Sequence, residues 1–257
     1  MNFVGPTLAV AAFQLWRLLS RQRLLLAGIG VVFPAAVMLA VRRTAADGLD
    51  RDLASMMIYA LVVEAVCILG LLVTMCPAVA DELERGTWIH VAVRPGGRRA
   101  LLLGTYLAAV AWTSTVAILA AILAVTVARV PQPLPLIGIL TTLVVLSTLG
   151  RAALFALPAV ILPKRALVAS VAVALVVEYL AGFIPAVVNQ ATVSLRLRSL
   201  LVAWMGWRQK LPVEMQLLID PQPAWIQIGA VGILAAVLLT AAVTILEYRQ
   251  FPPSEEI

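Results

Sequence analysis

The chain has 257 residues, 63% of them hydrophobic and only 12% charged, with a mean hydropathy of +1.03. Soluble domains are about 45–50% apolar and about 25% charged, so the bilayer is the expected solvent and length bounds a number of spans. The formal charge of +6 comes from 19 basic residues scattered through short polar segments, a pattern of interfacial arginines with no continuous stripe for nucleic acid.

The expected fold is an all-α polytopic membrane protein forming one transmembrane domain over 1–257, with six transmembrane helices of about 20 mostly apolar residues each. Residues 1–23 come first. Thr7, Gln14, Arg17 and Arg21 recur at helical spacing as one narrow polar stripe, and no basic segment precedes the apolar stretch as it would in a cleaved signal peptide. This is read as an amphipathic elbow helix lying in the interface, with an extra short span as the alternative.

Spans are then expected at 24–41, 56–80, 100–128, 136–162, 166–188 and 224–246. Pro77 should end or kink the second, because proline removes a helical hydrogen bond. Cys67 and Cys76 share that span, separated by a rise of about 13 Å that is too long for a disulfide. The loop at 46–52 carries Asp47, Asp50 and Asp52 and reads as a solvated connection.

One long connection, 189–223, precedes the last span. Leu200, Leu201, Trp204 and Met205 repeat at helical spacing, while Pro212 and Asp220-Pro221 break the chain. Short extracytoplasmic helices resting on or dipping into the membrane surface fit this pattern. Trp204, Trp207 and Trp225 suit an aromatic belt. With both termini inside, ten basic residues fall on the cytoplasmic side and eight outside, which favours that orientation only slightly.

Catalytic signatures are missing. His90 is the only histidine, so a His-Glu-x-x-His zinc site is excluded, and no Gly-x-Ser-x-Gly elbow occurs. Lys164 and Lys210 are the only lysines and neither sits in a Gly-Lys-Ser/Thr loop, so the chain lacks that device for binding ATP. Neither a metal nor a cofactor is expected in the chain itself.

Residues 81–99, DELERGTWIHVAVRPGGRR, form the long polar interruption of the first half. Asp81 and Arg85 stand four apart with the acid first, a favourable helical pair, and Arg94-Pro95-Gly96-Gly97 should turn the chain toward the third span. Glu82, Glu84, Gly86, Thr87, Arg94, Pro95, Arg98 and Leu103-Gly104 resemble the signature of type-2 ABC transporter permeases, the membrane subunits of ATP-driven exporters. Thr105 stands where that family usually has lysine.

The resemblance implies that 81–99 is a cytoplasmic coupling segment, with Asp81, Glu82, Glu84, Arg85, Gly86, Thr87, Arg94 and Pro95 contacting a separate cytoplasmic ATPase. It implies two ATPase copies per complex, ATP and Mg bound by that partner, a second permease subunit of the same or homologous kind, and a multi-pass location in the cell (inner) membrane with both termini cytoplasmic. An amphipathic or lipid-like substrate is expected. Alternatives from other classes are an integral membrane enzyme acting on lipid through Asp47, Asp50 and Asp52, and a non-transporting membrane anchor.

Glu64, Arg151 and Glu178 lie inside expected spans, where ionisable groups are costly and face the interior or pair. Counting from the tight 163–165 turn places Arg151 at a depth of about 16 Å and Glu178 at about 18 Å, so the two should pair. Glu64 falls at about 24 Å without a matched partner, and is the candidate for the translocation path.

Overall fold

The computed structural model describes residues 4–44, 50–180, 192–209 and 222–249, and these are helical with no strand among them. The chain runs α1 (Val4–Leu18), α2 (Arg21–Thr44), α3 (Arg51–Glu84), α4 (Trp88–Ala92), α5 (Gly97–Ala128), α6 (Pro133–Ile161), α7 (166–180), α8 (Val193–Met205) and α9 (Ala224–Tyr248). Five of these, α2, α3, α5, α6 and α9, are long and apolar enough to cross a membrane. The protein is therefore a helical membrane protein with several spans.

The helices overrun the apolar runs because nothing in the flanking residues breaks them. α2 starts at Arg21, three residues before the expected span, and α3 extends from Arg51 to Glu84 instead of 56–80. Asp50 caps α3, its carboxylate accepting from Leu53 N, which satisfies one of the free N-terminal donors. Asp52 adds an acid to that first turn, where the helix dipole favours it. Two of the three loop aspartates thus start a helix; Asp47 lies outside the described residues.

Pro77 interrupts the second span, as expected, without ending it. The backbone tightens to a 3₁₀ turn at Cys76–Ala78 and resumes as an α-helix at Ala80–Glu84, since a 3₁₀ turn absorbs the missing donor locally. Cys67 and Cys76 are both buried and free. Of the expected fifth span, α7 gives 15 residues, a rise of about 22 Å; 181–188 lies outside the described residues, as do Pro212 and Asp220-Pro221 in the long connection.

α6 is the central column: 78% of its most apolar window is buried within the chain, against 17% in α2 and in α9. α5, α7, α8 and α9 all pack on it. Close approach depends on small residues, as is usual between membrane helices. Ala117, Ala120, Ala121 and Ala124 give α5 a fully buried flat face. A Cβ on Gly104 would lie 2.6 Å from Val10 Cγ1, and one on Gly150 would lie 2.9 Å from Val193 Cγ2, so these glycines set where α1 meets α5 and where α8 meets α6.

Gly96 and Gly97 have separate reasons to be glycine. Gly96 adopts φ +71°, the left-handed region that costs other residues strain. At 97 the backbone is ordinary, but a methyl group would overlap the Val91 carbonyl oxygen. Gly97→Ala should therefore force α4 away from the start of α5 and destabilise the protein by about 1–3 kcal/mol. An unchanged thermal midpoint in detergent would refute this packing.

Candidate functional site

Two polar assemblies stand out in the apolar bundle. The first is a knuckle between α3 and α5. α3 ends where Gly86, at φ +67°, donates its N–H to Leu83 O, an end that glycine makes cheaply. α4 follows as five residues, and the Pro95-Gly96 turn leads into α5.

Inward groups fix this knuckle. Arg17 on α1 bonds Asp81 at 2.7 Å and Glu82 at 3.2 Å, and Arg23 approaches Asp81 at 3.8 Å. Glu82 is buried, and Thr87 Oγ1 donates to its carboxylate at 2.5 Å. On the other flank Trp88 is buried with the Arg98 guanidinium 5.6 Å from its ring centroid, a cation–π distance. Arg98 Nη1 also donates to the carbonyls of Leu246, Glu247 and Arg249 at the end of α9. Arg99 pairs with Glu247, and Arg249 bonds the carbonyls of Val160 and Ile161 at the end of α6.

The expected Asp81–Arg85 pair does not form. Asp81 is taken by Arg17 and Arg23, and Arg85 is exposed. A partly buried pair from another helix displaces an exposed pair along one helix, because solvent screening leaves the latter little energy. Of the eight expected coupling residues, Asp81 and Glu82 point inward, while Glu84, Arg85, Gly86, Thr87, Arg94 and Pro95 are exposed.

The outer face of α4 also presents Ile89 and Val93, 63% and 78% exposed, with His90 beside them. Sequence reasoning missed these two. The available signal is the alternation of Trp88 and Val91, which face inward, with Ile89, His90 and Val93, which do not.

The second assembly surrounds Arg151, which has no exposed surface. Its Nη2 bonds Glu64 and, at 2.8 Å, Ser194 Oγ; its Nη1 bonds Val63 O and Ser147 Oγ, each at 2.7 Å; its Nε lies 3.4 Å from Glu178. Glu178 further accepts from Val193 N at 3.2 Å, Ser194 N at 2.9 Å and Ser194 Oγ at 2.5 Å. The start of α8 thus binds a carboxylate, as helix N-termini do.

Glu64 is the correction here. It is 7% exposed, pairs with Arg151 and accepts from Tyr59 Oη at 2.8 Å, so it is not without a partner. Two causes defeat the depth count. The ends of apolar runs do not lie at one level in a bundle whose helices overrun them, and an arginine side chain reaches along the bundle. In addition, Tyr59–Val66 and Ala174–Leu180 are π-helical. In an α-helix residues five apart diverge by about 140°, whereas the i→i+5 π ladder aligns Tyr59 with Glu64. Each π segment carries one of the two glutamates, in keeping with the concentration of such segments at special sites.

α8 therefore does not rest on the surface alone. Ser194 meets an arginine ten residues from the end of the 29-residue α6, so α8 dips into the bundle and buries Leu197, Leu200 and Leu201. Among the described residues no cluster of three or more metal-ligating side chains occurs. Compared with protein-family models, with curated proteins and with solved structures, the chain matches none of them.

Proposed function

We propose that this chain is the membrane-spanning permease subunit of an ATP-driven ABC exporter, working with a second permease subunit and two copies of a separate cytoplasmic ATPase. The observation that carries the reading is the knuckle: an outward surface of Ile89, Val93, Glu84, Arg85 and Arg94 mounted on a braced base. Exposed apolar side chains rimmed by charge mark a protein contact, and a chain without a phosphate loop needs its nucleotide chemistry from elsewhere. ATP and Mg belong to the partner.

A push on α4 reaches α3 and α5 directly, α1 through Arg17, and α9 through Arg98. The bundle end that carries the knuckle holds Arg17, Arg21, Arg23, Arg85, Arg94, Arg98, Arg99, Lys164, Arg165 and Arg249, which supports a cytoplasmic side there and at both termini. Where the family resemblance has lysine, Thr105 is buried, and Arg17 and Arg23 supply the positive charge beside Asp81. We assign Glu64 to the Arg151 cluster, with access to a path only when that cluster opens. The apolar span surfaces favour an amphipathic or lipid-like substrate.

Replacing Glu84, Arg85 and Arg94 together by alanine tests this reading. These side chains are exposed, so the thermal midpoint should hold while copurification of a phosphate-loop ATPase from the same cells falls several-fold and becomes less salt-sensitive. Undiminished copurification of that ATPase would remove the reading's main support.

A further inference from the structure

The corner between α1 and α2 has the parts of a lipid-binding site. The side of α1 turned away from α5, with the residue just past its end, exposes Phe13, Trp16 and Leu19, 60, 76 and 50% accessible. They follow helical spacing and make one apolar strip that ends at three arginines, Arg17, Arg21 and Arg23. Arg17 is committed to Asp81 and Glu82. Arg23 is held only loosely, 3.8 Å from Asp81, and Arg21 is exposed.

Between these elements and α5 lies a narrow cleft lined by Gln14, Arg17, Arg23, Thr74, Asp81 and Thr105. The cleft's space of about 10 Å³ admits one water-sized atom. Thr105 is 4% exposed, and its hydroxyl has no hydrogen-bond partner among the described residues, a situation that buried polar groups rarely tolerate. The cleft thus offers an unused hydroxyl donor at its floor and loosely held arginine at its side, beside an apolar strip suited to acyl chains.

We propose that this corner binds a phospholipid with a net negative headgroup. One phosphate oxygen enters the cleft and accepts from Thr105 Oγ1 and the Arg23 guanidinium. Arg21 faces the remaining headgroup charge, and the acyl chains run along Phe13 and Trp16. The preference for an anionic over a zwitterionic lipid comes from Arg21, which is exposed and pairs with no acid among the described residues, since anionic leaflets attract basic side chains. The headgroup competes with Asp81 for Arg23, so the site adjoins the base of the knuckle.

The test is thermal unfolding of the purified full chain in detergent, titrated with phosphatidylglycerol or phosphatidylcholine, with inorganic phosphate as the soluble comparison. Phosphatidylglycerol should raise the midpoint by ~2–4 °C at saturation, phosphatidylcholine clearly less, and inorganic phosphate not at all. Arg21→Gln, at an exposed position whose loss leaves the fold intact, should weaken the phosphatidylglycerol effect several-fold. Arg21→Gln combined with Arg23→Gln should weaken it at least tenfold, and Thr105→Val should also reduce it. Equal stabilisation by the two lipids, an effect undiminished in Arg21→Gln, or stabilisation by phosphate alone would each overturn the proposal. None of these outcomes depends on an ATPase, so the site and the permease reading stand or fall separately.

Discussion

Replacing Arg151 by methionine is expected to destabilise the protein by about 3–5 kcal/mol, the cost of leaving a buried charge without its partner. The size follows from what the guanidinium holds. It bonds Glu64 on α3, Glu178 on α7, Ser147 on its own helix and Ser194 on α8, with Val63 O as a further acceptor. Removing it leaves two carboxylates facing each other inside the bundle. Glu178 keeps its donors from the start of α8, whereas Glu64 keeps, among the described residues, only Tyr59.

Adding Glu64→Gln to Arg151→Met should therefore recover part of the loss, and Glu64→Gln and Glu178→Gln should each cost less in the Arg151→Met background than in the wild type. Such non-additivity marks direct contact. Unfolding midpoints of the single and combined variants in detergent measure it. Strictly additive shifts would mean that the cluster does not act as one unit.

The second large effect concerns α4. Ile89→Asp with Val93→Asp places two charges at the centre of the exposed apolar surface, where a docked partner would have to bury them. Truncating a hot-spot residue at the centre of an interface costs about 2 kcal/mol or more, and a charge buried without a partner costs more still. Association with the proposed ATPase should fall at least about a hundredfold, measured by binding of a phosphate-loop ATPase purified from the same cells to the immobilised chain. Both side chains face away from the bundle, so the midpoint for unfolding should not move. Retained binding would show that α4 is not the contact.

The long helices were legible because a bilayer-spanning run of apolar residues is a strong signal, and their ends were less so because polar residues continue a helix when no breaker intervenes. The proximity of Arg151 and Glu178 could be reached by counting, since the 163–165 turn fixes a common origin for two antiparallel neighbours. Glu64 could not be placed that way. Its register depends on a π-helical stretch that no residue in YALVVEAV announces, and its level depends on how α3 packs against α6.

In the polar segment, the glycines and the turn carried their own explanation, but the inward and outward faces did not. Asp81 had a nearby partner in sequence, Arg85, and a better one 64 residues away, Arg17. Only tertiary packing decides between them. The exposed Ile89 sits in a helix of five residues and Val93 caps its end, a stretch too short for periodicity to declare which side faces out.

In the proposed permease, α4 is the surface that a separate ATPase grips. The most direct measurement places a single cysteine at Val93, in a background with Cys67 and Cys76 replaced, and applies a short bifunctional thiol–amine crosslinker to membranes from cells that make the chain. The predicted product joins residue 93 to a protein whose own sequence contains a Gly-Lys-Ser/Thr phosphate loop, and nucleotide changes its yield. A cysteine at 93 that labels freely with a small maleimide yet crosslinks to no such protein, with or without ATP, would contradict the central claim.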